Sequence, residues 1–314
     1  MKLLLSLASS LILWILMAAI LVLLILLPRD IKVQRVNVTD VMSYHFTWSG
    51  YKDNIVHYVK EVKENKSLGK SSTQQPVEWE LAHYGLRSVI ILVPALIISI
   101  IIGILKGVFD YRHNRGIWKL FGEGSTWLGQ AIPDFFVIII LELLISLTIQ
   151  RFFPQLQLYG YSHWYSIFLP IIFLSMYPAA VIAGYTTQAL KEEDNRDYIL
   201  TAKAKGLPER VILWKHILRN CWSKILLHFM PLVLTLLSSM VLVEYMTLYR
   251  GMGTRLIEAI QIKDMISSVD TILPIETATI IGFSLGFMLI LLMAQWLNQI
   301  IKHFLNPIRK EEQS

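Results

Sequence analysis

Residues 197–210 read DYILTAKAKGLPER, a polar and basic stretch that lies between two long apolar segments. Residues Thr201 to Lys205 are compatible with a helix. Gly206 suits the position just after a helix, because a positive φ is cheap for glycine. Pro208 suits the first turn of a second helix, where its missing N–H is not needed. The stretch therefore predicts a helix–glycine–helix elbow that projects from a membrane and suits docking to a soluble partner.

Apolar runs on both sides of the elbow predict an all-α membrane protein with about six transmembrane helices. Hydrophobic residues make up 54% of the 314 residues and charged residues only 17%. The runs that can cross about 30 Å of hydrocarbon are 3–27, 88–108, 131–148, 164–186, 226–243 and 274–297. The first run exceeds the h-region of a signal peptide, about 7–15 residues, and ends without an A-x-A site, so it is predicted to stay as a helix.

Lysine and arginine set the expected orientation of these spans. The segments 1–2, 106–130, 187–225 and 298–314 hold 16 of the 29 basic residues, whereas the short loops 149–163 and 244–273 hold 4. The positive-inside rule then predicts a multi-pass protein of the plasma membrane with both termini in the cytoplasm. The net charge of +6 reflects this bias and contact with anionic lipid, and is no argument for nucleic acid.

The predicted organisation has four parts. Residues 1–27 form the first transmembrane helix, and 28–86 form an extracytoplasmic loop or cap. Residues 87–305 form a five-helix core that contains the cytoplasmic loop 187–225, and 306–314 form a cytoplasmic tail. Two roles for segment 28–86 are open, namely a passive spacer and a contact with an external protein that delivers a substrate.

Catalytic and metal-binding patterns are not found in the sequence. Cys221 is the single cysteine, so no internal disulfide forms. The eight histidines show no pair at metal-ligand spacing on one helix. The run Gly69-Lys70-Ser71 is not a phosphate-binding loop, because that motif requires a glycine five residues before Gly69 and residue 64 is glutamate. We therefore expect no enzyme, no metal and no cofactor in this chain, and if ATP is used, another chain binds it.

Polar groups inside the predicted spans are candidates for a transport pathway. Glu142 is the only acid well inside a span, and either lines a pathway or contacts a partner protein. Ser146 lies one turn further on the same face. Thr235, Ser238 and Ser239 are further candidates for the lining of the pathway. The alternative is that their hydroxyl groups hydrogen-bond the backbone of their own helix, as serine and threonine often do in membrane helices. Asp134 and His228 are expected at the membrane interface, with a proton relay as the second possibility for His228.

Four motifs, taken together, carry a family resemblance. The first runs from Asp197-Tyr198 through Thr201 to Leu207 and on to His216 to Asn220. The others are Val243-Glu244 with Gly251-Met252-Gly253 and Glu258 to Ile260, the tail Leu305 to Arg309, and Gly103 with Gly107. In these the chain resembles the integral-membrane subunits of binding-protein-dependent ABC importers, and within them the oligopeptide/dipeptide/nickel permease family.

The resemblance implies a type I ABC importer permease that forms half of a translocation pathway. It implies a second homologous permease subunit, one or two cytoplasmic ATPase subunits that hold ATP and Mg, and an extracytoplasmic substrate-binding lipoprotein. The residues expected to dock on the ATPase are Asp197, Tyr198, Thr201, Ala202, Lys203, Ala204, Lys205, Gly206, Leu207 and Arg210. The short side chains of Ala202 and Ala204 would allow close approach. The outer gate would involve Glu244, Gly251 and Gly253.

The chain departs from the family pattern at several positions. Leu200, Lys224, Thr247 and Arg250 differ from the usual residues, and Gly184 and Thr187 stand where members often carry basic side chains. Peptides are the first expectation for the substrate, and nickel or other metal chelates are the alternative. The rival class is an autonomous secondary transporter or channel, which would show paired intramembrane charges and an inverted repeat; neither is found in the sequence.

Overall fold

The computed structural model of this chain describes residues 2–28, 31–36, 39–44, 46–113, 115–153, 155–194, 196–260 and 276–305. The predicted tail 306–314 and the first residues of the predicted sixth span, 274 and 275, lie outside the described residues. Within these ranges five helices are long and apolar enough to cross a membrane, and a bent helix pair makes a sixth span if it is counted as one. The predicted helical membrane fold is thereby confirmed.

The described residues form twelve α-helices. In chain order they are α1 (Lys2–Ile25), α2 (Trp48–Asn65), α3 (Val77–Arg112), α4 (Ser125–Ala131), α5 (Asp134–Phe152), α6 (Phe168–Glu193), α7 (Asp197–Ala204), α8 (Glu209–Val211), α9 (Leu218–Leu226), α10 (Phe229–Met246), α11 (Met252–Ile260) and α12 (Thr277–Leu305). π-helical turns at Leu120–Gly124 and Ile212–Ile217 precede α4 and α9, and a 3₁₀ turn at Trp164–Ile167 precedes α6.

A short antiparallel hairpin within segment 28–86 was not predicted. Strand β1 (Ile31–Val36) pairs with β2 (Thr39–Tyr44), with Ile31 opposite Tyr44 and Val36 opposite Thr39. The sequences IKVQRV and TDVMSY alternate apolar and polar residues over part of their length, which is the pattern of a strand. That signal was present in the sequence but is short. The helix α2 follows the hairpin.

Two compact units make up the chain. The first unit comprises residues 1–88 and 250–293, and the second comprises 89–249 and 294–314. In the first unit Trp14 Nε1 donates a 2.7 Å hydrogen bond to the carbonyl oxygen of Met288, which joins α1 to α12. Gly282 and Gly286 allow α12 to approach Val77 and Leu81 on α3, because a Cβ at either glycine would overlap those side chains.

Close contact between α3 and α6 organises the second unit. A Cβ on Gly103 would lie 2.6 Å from Cβ of Ile182 and 2.8 Å from the carbonyl oxygen of Ala179. A Cβ on Gly107 would likewise overlap Thr186. Gly103 and Gly107 are therefore small residues that let two membrane helices touch.

The third predicted span, 131–148, is broken in the structure. Leu120–Ala131 and Asp134–Thr148 meet at a bend of 103°. Pro133 stands at the break, where it lacks an N–H to continue the helical ladder. If the pair is counted as one span, that span includes Leu120–Ala131 and bends sharply before α5.

Candidate functional site

The predicted elbow is present at residues 197–210. Helix α7 ends at Ala204, and Gly206 follows with φ +72°, where its N–H donates a 3.0 Å hydrogen bond to the carbonyl oxygen of Lys203. Pro208 has extended backbone angles and lies one residue before α8. The proline thus precedes the second helix instead of occupying its first turn, a difference of one position.

One face of α7 packs against the chain itself. Ile199 is fully buried and Ala202 is 6% exposed. The expectation that the small side chain of Ala202 meets a partner is therefore wrong for this residue, because that side chain packs inside the chain. Leu200, by contrast, is 58% exposed. The other predicted docking residues that are exposed are Asp197, Thr201, Lys203, Ala204, Lys205, Gly206, Leu207 and Arg210, while Tyr198 is half-buried.

A hydrogen bond connects helix α7 to the end of α6. Tyr198 Oη donates a 2.8 Å hydrogen bond to Oε2 of Glu193. The same carboxylate lies 3.1 Å from Nζ of Lys224 on α9, and Lys224 also donates a 2.9 Å hydrogen bond to Glu192. The hydrogen bond to Glu192, aided by Glu193, raises the pKa of Lys224 above its ordinary value against an opposing effect of partial burial. The elbow, α6 and α9 therefore form one hydrogen-bonded cluster.

A polar groove runs along the second unit. Two adjoining cavities, of about 490 and 480 Å³, share the lining residues Gln130, Tyr177 and Thr235. We call their combined lining the membrane groove. Its first cavity adds Gly184, Tyr185, Gln188 and His228, and its second adds Pro133, Asp134, Ser238 and Ser239.

Only some of the predicted pathway residues line the membrane groove. Thr235, Ser238 and Ser239 line the groove. Glu142 and Ser146 are not among its lining residues; Glu142 is half-buried, and its Oε1 accepts no hydrogen bond within the described residues.

The predicted gate residues are not among the lining residues of the groove. Glu244 is fully buried on α10. Gly251 and Gly253 are buried at the start of α11, in the first unit.

Asp134 occupies a position that sequence reasoning missed. It begins α5 at the break and lines the groove, where Ser239 Oγ donates a hydrogen bond to its Oδ2. Its Oδ1 accepts a 2.8 Å hydrogen bond from the N–H of Phe135. A break at a proline in an apolar run was the available signal, but the sequence did not show that α4 and α10 would approach it.

Buried polar contacts hold the broken span in place. Lys106 on α3 pairs with the buried carboxylate of Asp110 and donates 2.9 Å hydrogen bonds to the carbonyl oxygen of Gly122 and to Oγ1 of Thr126. Thr126 in turn donates to Asp110. Lys191 on α6 forms a 2.9 Å ion pair with Glu123. The chain before α4 is thus fixed to both α3 and α6.

The two unusual residues on α6 have structural explanations. Gly184 lies against Gln130 of α4, so that a side chain at 184 would overlap the amide of Gln130. Gln130 Nε2 donates a 2.8 Å hydrogen bond to the carbonyl oxygen of Ala180. Thr187 is buried and donates to the carbonyl oxygen of Gly107 on α3 at 3.1 Å. Close helix packing occupies both positions.

The ring of His228 stacks on Tyr185 at the first cavity. The two ring centroids are 3.5 Å apart and the planes differ by 5°. Trp222 and Tyr177 add further aromatic surface to the same cavity. This end of the groove offers flat apolar faces, while the end near Asp134 offers hydroxyl groups and a carboxylate.

A buried ion cluster in the first unit was also missed by sequence reasoning. Arg255 of α11 is 5% exposed and lies 2.9 Å from Glu80 of α3 and 2.6 Å from Glu276. Ser71 and Thr73 each donate a 2.6 Å hydrogen bond to Glu80. The cluster joins the segment before α3 to α11 and to the start of α12. Its members are far apart in the sequence, so no local pattern marks them.

Comparison with known proteins identifies the class. Residues 81–305 match the family described as binding-protein-dependent transport system inner membrane component. Because the match covers more than half of the chain, the protein belongs to this family. It is therefore a multi-pass membrane permease component of a binding-protein-dependent ABC importer, a class of non-catalytic subunits.

Individual relatives agree with this class. The chain is 29% identical over 230 residues to the dipeptide transport system permease protein of Lactococcus lactis subsp. cremoris, covering 73% of this chain and 72% of the relative. It is 32% identical over 173 residues to the dipeptide transport system permease protein of Bacillus subtilis, covering 54% of each chain. It is 25% identical over 242 residues to a glutathione transport system permease protein of Pectobacterium atrosepticum, covering 77% and 75%.

Proposed function

We propose that this chain is the permease subunit of an ATP-driven peptide importer, in which it forms half of the translocation pathway and couples to an ATPase through residues 197–210. The observation that carries the proposal is the elbow itself. It presents Lys203, Lys205 and Arg210 at an exposed surface beside the apolar side chains of Leu200 and Leu207. A surface with basic groups and exposed leucines suits a groove that is apolar with an acidic rim.

Coupling requires that a movement of the elbow reaches the membrane helices. The hydrogen bond from Tyr198 to Glu193 and the contacts of Lys224 provide that connection to α6 and α9. Both helices contribute to the membrane groove, α6 through Tyr177 and Tyr185 and α9 through Trp222. A displacement of α7 would then alter the width of the groove, which is what switching between inward- and outward-facing states requires.

The lining of the membrane groove also supports a proposal for the partner proteins of this chain. A groove lined by hydroxyl, amide and carboxylate groups is costly against lipid, so a second homologous permease subunit is expected to cover it and complete the pathway. One or two ATPase subunits on the cytoplasmic side would hold ATP and Mg, and a lipoprotein would deliver the substrate from outside. In the proposed arrangement both termini lie in the cytoplasm and segment 28–86 lies outside, which the distribution of lysine and arginine supports.

Peptides are the proposed substrate class. The relatives named above carry dipeptide or glutathione in their names, and the groove has the polar groups that peptide amides can hydrogen-bond. An importer for nickel or other metal chelates is the alternative substrate assignment. The alternative class is an autonomous secondary transporter or channel. This class would be favoured if the purified chain transported substrate without any partner subunit.

A backbone change in the elbow tests the docking proposal. Gly206 has φ +72°, whereas proline requires a φ near −65°, and proline also removes the N–H that bonds to Lys203. Gly206→Pro is expected to abolish co-purification of the ATPase while membrane insertion is retained. The matched control is Gly116→Pro, which imposes the same conflict at φ +62° with no neighbouring atom within 4 Å of its Cβ. Equal ATPase recovery in both variants would contradict the proposal.

A further inference from the structure

Among the described residues that line the membrane groove, Asp134 is the only one with a charged side chain. The remaining polar members are hydroxyl, amide and imidazole groups, among them Gln130, Thr235, Ser238 and Ser239. The residue is the first of α5, directly after the break that separates α5 from α4. A carboxylate in such a position is expensive in lipid and is therefore a candidate for a functional contact.

The carboxylate of Asp134 is oriented by two hydrogen bonds but has no ion-pair partner among the described residues. The N–H of Phe135 donates to Oδ1 at 2.8 Å, and the buried hydroxyl of Ser239 donates to Oδ2. The positive end of the α5 helix dipole also stabilises its negative charge. A carboxylate has about four acceptor sites, so that two remain for a ligand. Within the described residues no lysine, arginine or histidine lies in ion-pair contact with Asp134.

The end of α4 adds a second feature that favours a cation. The last carbonyl groups of a helix lack intrahelical donors, and the chain passes from Ala131 through Ile132 to Pro133, which has no N–H to offer. Ala131 and Pro133 line the same cavity as Asp134. Broken membrane helices commonly bind cationic groups with such carbonyl ends. The carbonyl end of α4 and the carboxylate of Asp134 thus both supply negative potential to one point of the groove.

We propose that Asp134, held by Ser239, is a binding point for the primary ammonium group of a transported substrate, such as the free amino terminus of a peptide. The inference rests on the peptide-import function proposed above. The cavity of about 480 Å³ beside Asp134 has room for several residues of an extended peptide. The hydroxyl groups of Thr235 and Ser238 line the same cavity and can accept or donate hydrogen bonds along its backbone. Glu142, for which the sequence left a pathway role and a contact with a partner protein open, does not line the groove.

The test uses the complete complex in proteoliposomes with its binding protein, ATP and a pool of labelled peptides of two to five residues. Asp134→Asn is expected to lower uptake of peptides with free amino termini by about tenfold, the size of one hydrogen bond to a charged group. Asp134→Glu, which keeps the charge, is expected to retain most of the uptake. Asp53→Asn, an exposed acid on α2, is the control for loss of a charge elsewhere.

The outcomes separate the two proposals. If the wild-type complex takes up peptides and Asp134→Asn takes them up equally well, the ammonium site is wrong and the peptide function stands. If the wild-type complex takes up no peptide, the proposed function is wrong and the site falls with it. A loss in Asp134→Asn that Asp134→Glu restores supports the ammonium site.

A second measurement leaves Asp134 unchanged and so does not depend on how its variants fold. Ser238→Cys places a thiol in the same cavity, while the native Cys221 is fully buried. A positively charged methanethiosulfonate reagent is expected to modify this thiol at least about tenfold faster than a negatively charged one, because the carboxylate attracts cations. Equal rates for the two reagents would overturn the inference.

Discussion

Tyr198 of the elbow helix donates a 2.8 Å hydrogen bond to Glu193, the last residue of the membrane helix α6. This contact spans the connection between α7, which is proposed to dock on a partner, and α6, which lines the groove. Glu193 is itself 7% exposed and also binds Lys224 of α9. A single carboxylate thus links three helices, and the account of coupling depends on it.

Removal of the Tyr198 hydroxyl should weaken coupling more than folding. Tyr198→Phe deletes the hydrogen bond to Glu193, a loss of about 1 kcal/mol in stability, and keeps the ring in place. We expect binding-protein-stimulated ATP hydrolysis and transport to fall several-fold, while ATPase co-purification is kept. Tyr165→Phe is the matched control, because it makes the same change in a turn before α6. Equal transport in the two variants would show that the hydroxyl of Tyr198 has no part in coupling.

The buried ion cluster of the first unit should be a large stability determinant. Arg255→Met leaves two acids, Glu80 and Glu276, in a buried site without their cation. Removing one partner of a buried ion pair typically costs about 3–5 kcal/mol, so thermal denaturation in detergent should begin at a clearly lower temperature. The exposed Arg151→Met is the control. A melting curve for Arg255→Met that matches this control would contradict the role of the cluster.

Two glycines on α3 should respond in opposite directions to the same substitution. Gly103→Ala brings a methyl group within 2.6 Å of Ile182, whereas Gly85→Ala meets its first neighbour, the sulfur of Met252, at 3.5 Å. Overpacking typically costs about 1–3 kcal/mol, while alanine in place of glycine favours a helix by roughly 0.5–1 kcal/mol. Thermal stability should therefore fall in Gly103→Ala and hold or rise in Gly85→Ala. The reverse order would refute the close contact of α3 with α6.

The single cysteine should be unreactive in the folded protein. Burial, followed by the negative charge of Glu193, raises the pKa of Cys221 to about 11, and the thiolate is the form that reacts with alkylating reagents. Iodoacetamide at pH 8 should label Cys221 only after denaturation, and any native labelling should increase toward pH 11. Ser223→Cys, exposed two residues away, gives the positive control. Rapid native labelling in the wild type at pH 8 would disprove this environment.

The membrane spans and the elbow could be predicted from the sequence because their signals are local. Uninterrupted apolar runs give the spans, and the order of Lys205, Gly206 and Pro208 gives the end of one helix and the beginning of the next. The matched family region, 81–305, agrees with the resemblance that those motifs carried.

The groove and the buried ion cluster could not be predicted, because both depend on residues that are distant in the sequence. Ser239 meets Asp134 across 105 positions and Arg255 meets Glu80 across 175. Asp134 was expected at the membrane interface, because the residues next to it in the sequence do not indicate which helices pack around it. Ala202 was assigned to a partner because the sequence shows a small residue on a polar helix but not which side of that helix is buried.

The central claim is that this chain works as one permease within an ATP-driven complex. The most direct measurement is a mild-detergent pull-down of the chain from its native membrane, followed by mass spectrometry of the proteins that remain bound. The account predicts a second permease, one or two ATPase subunits and an extracytoplasmic binding protein. Recovery of the chain alone, or only as a homo-oligomer, would contradict the account and favour an autonomous transporter.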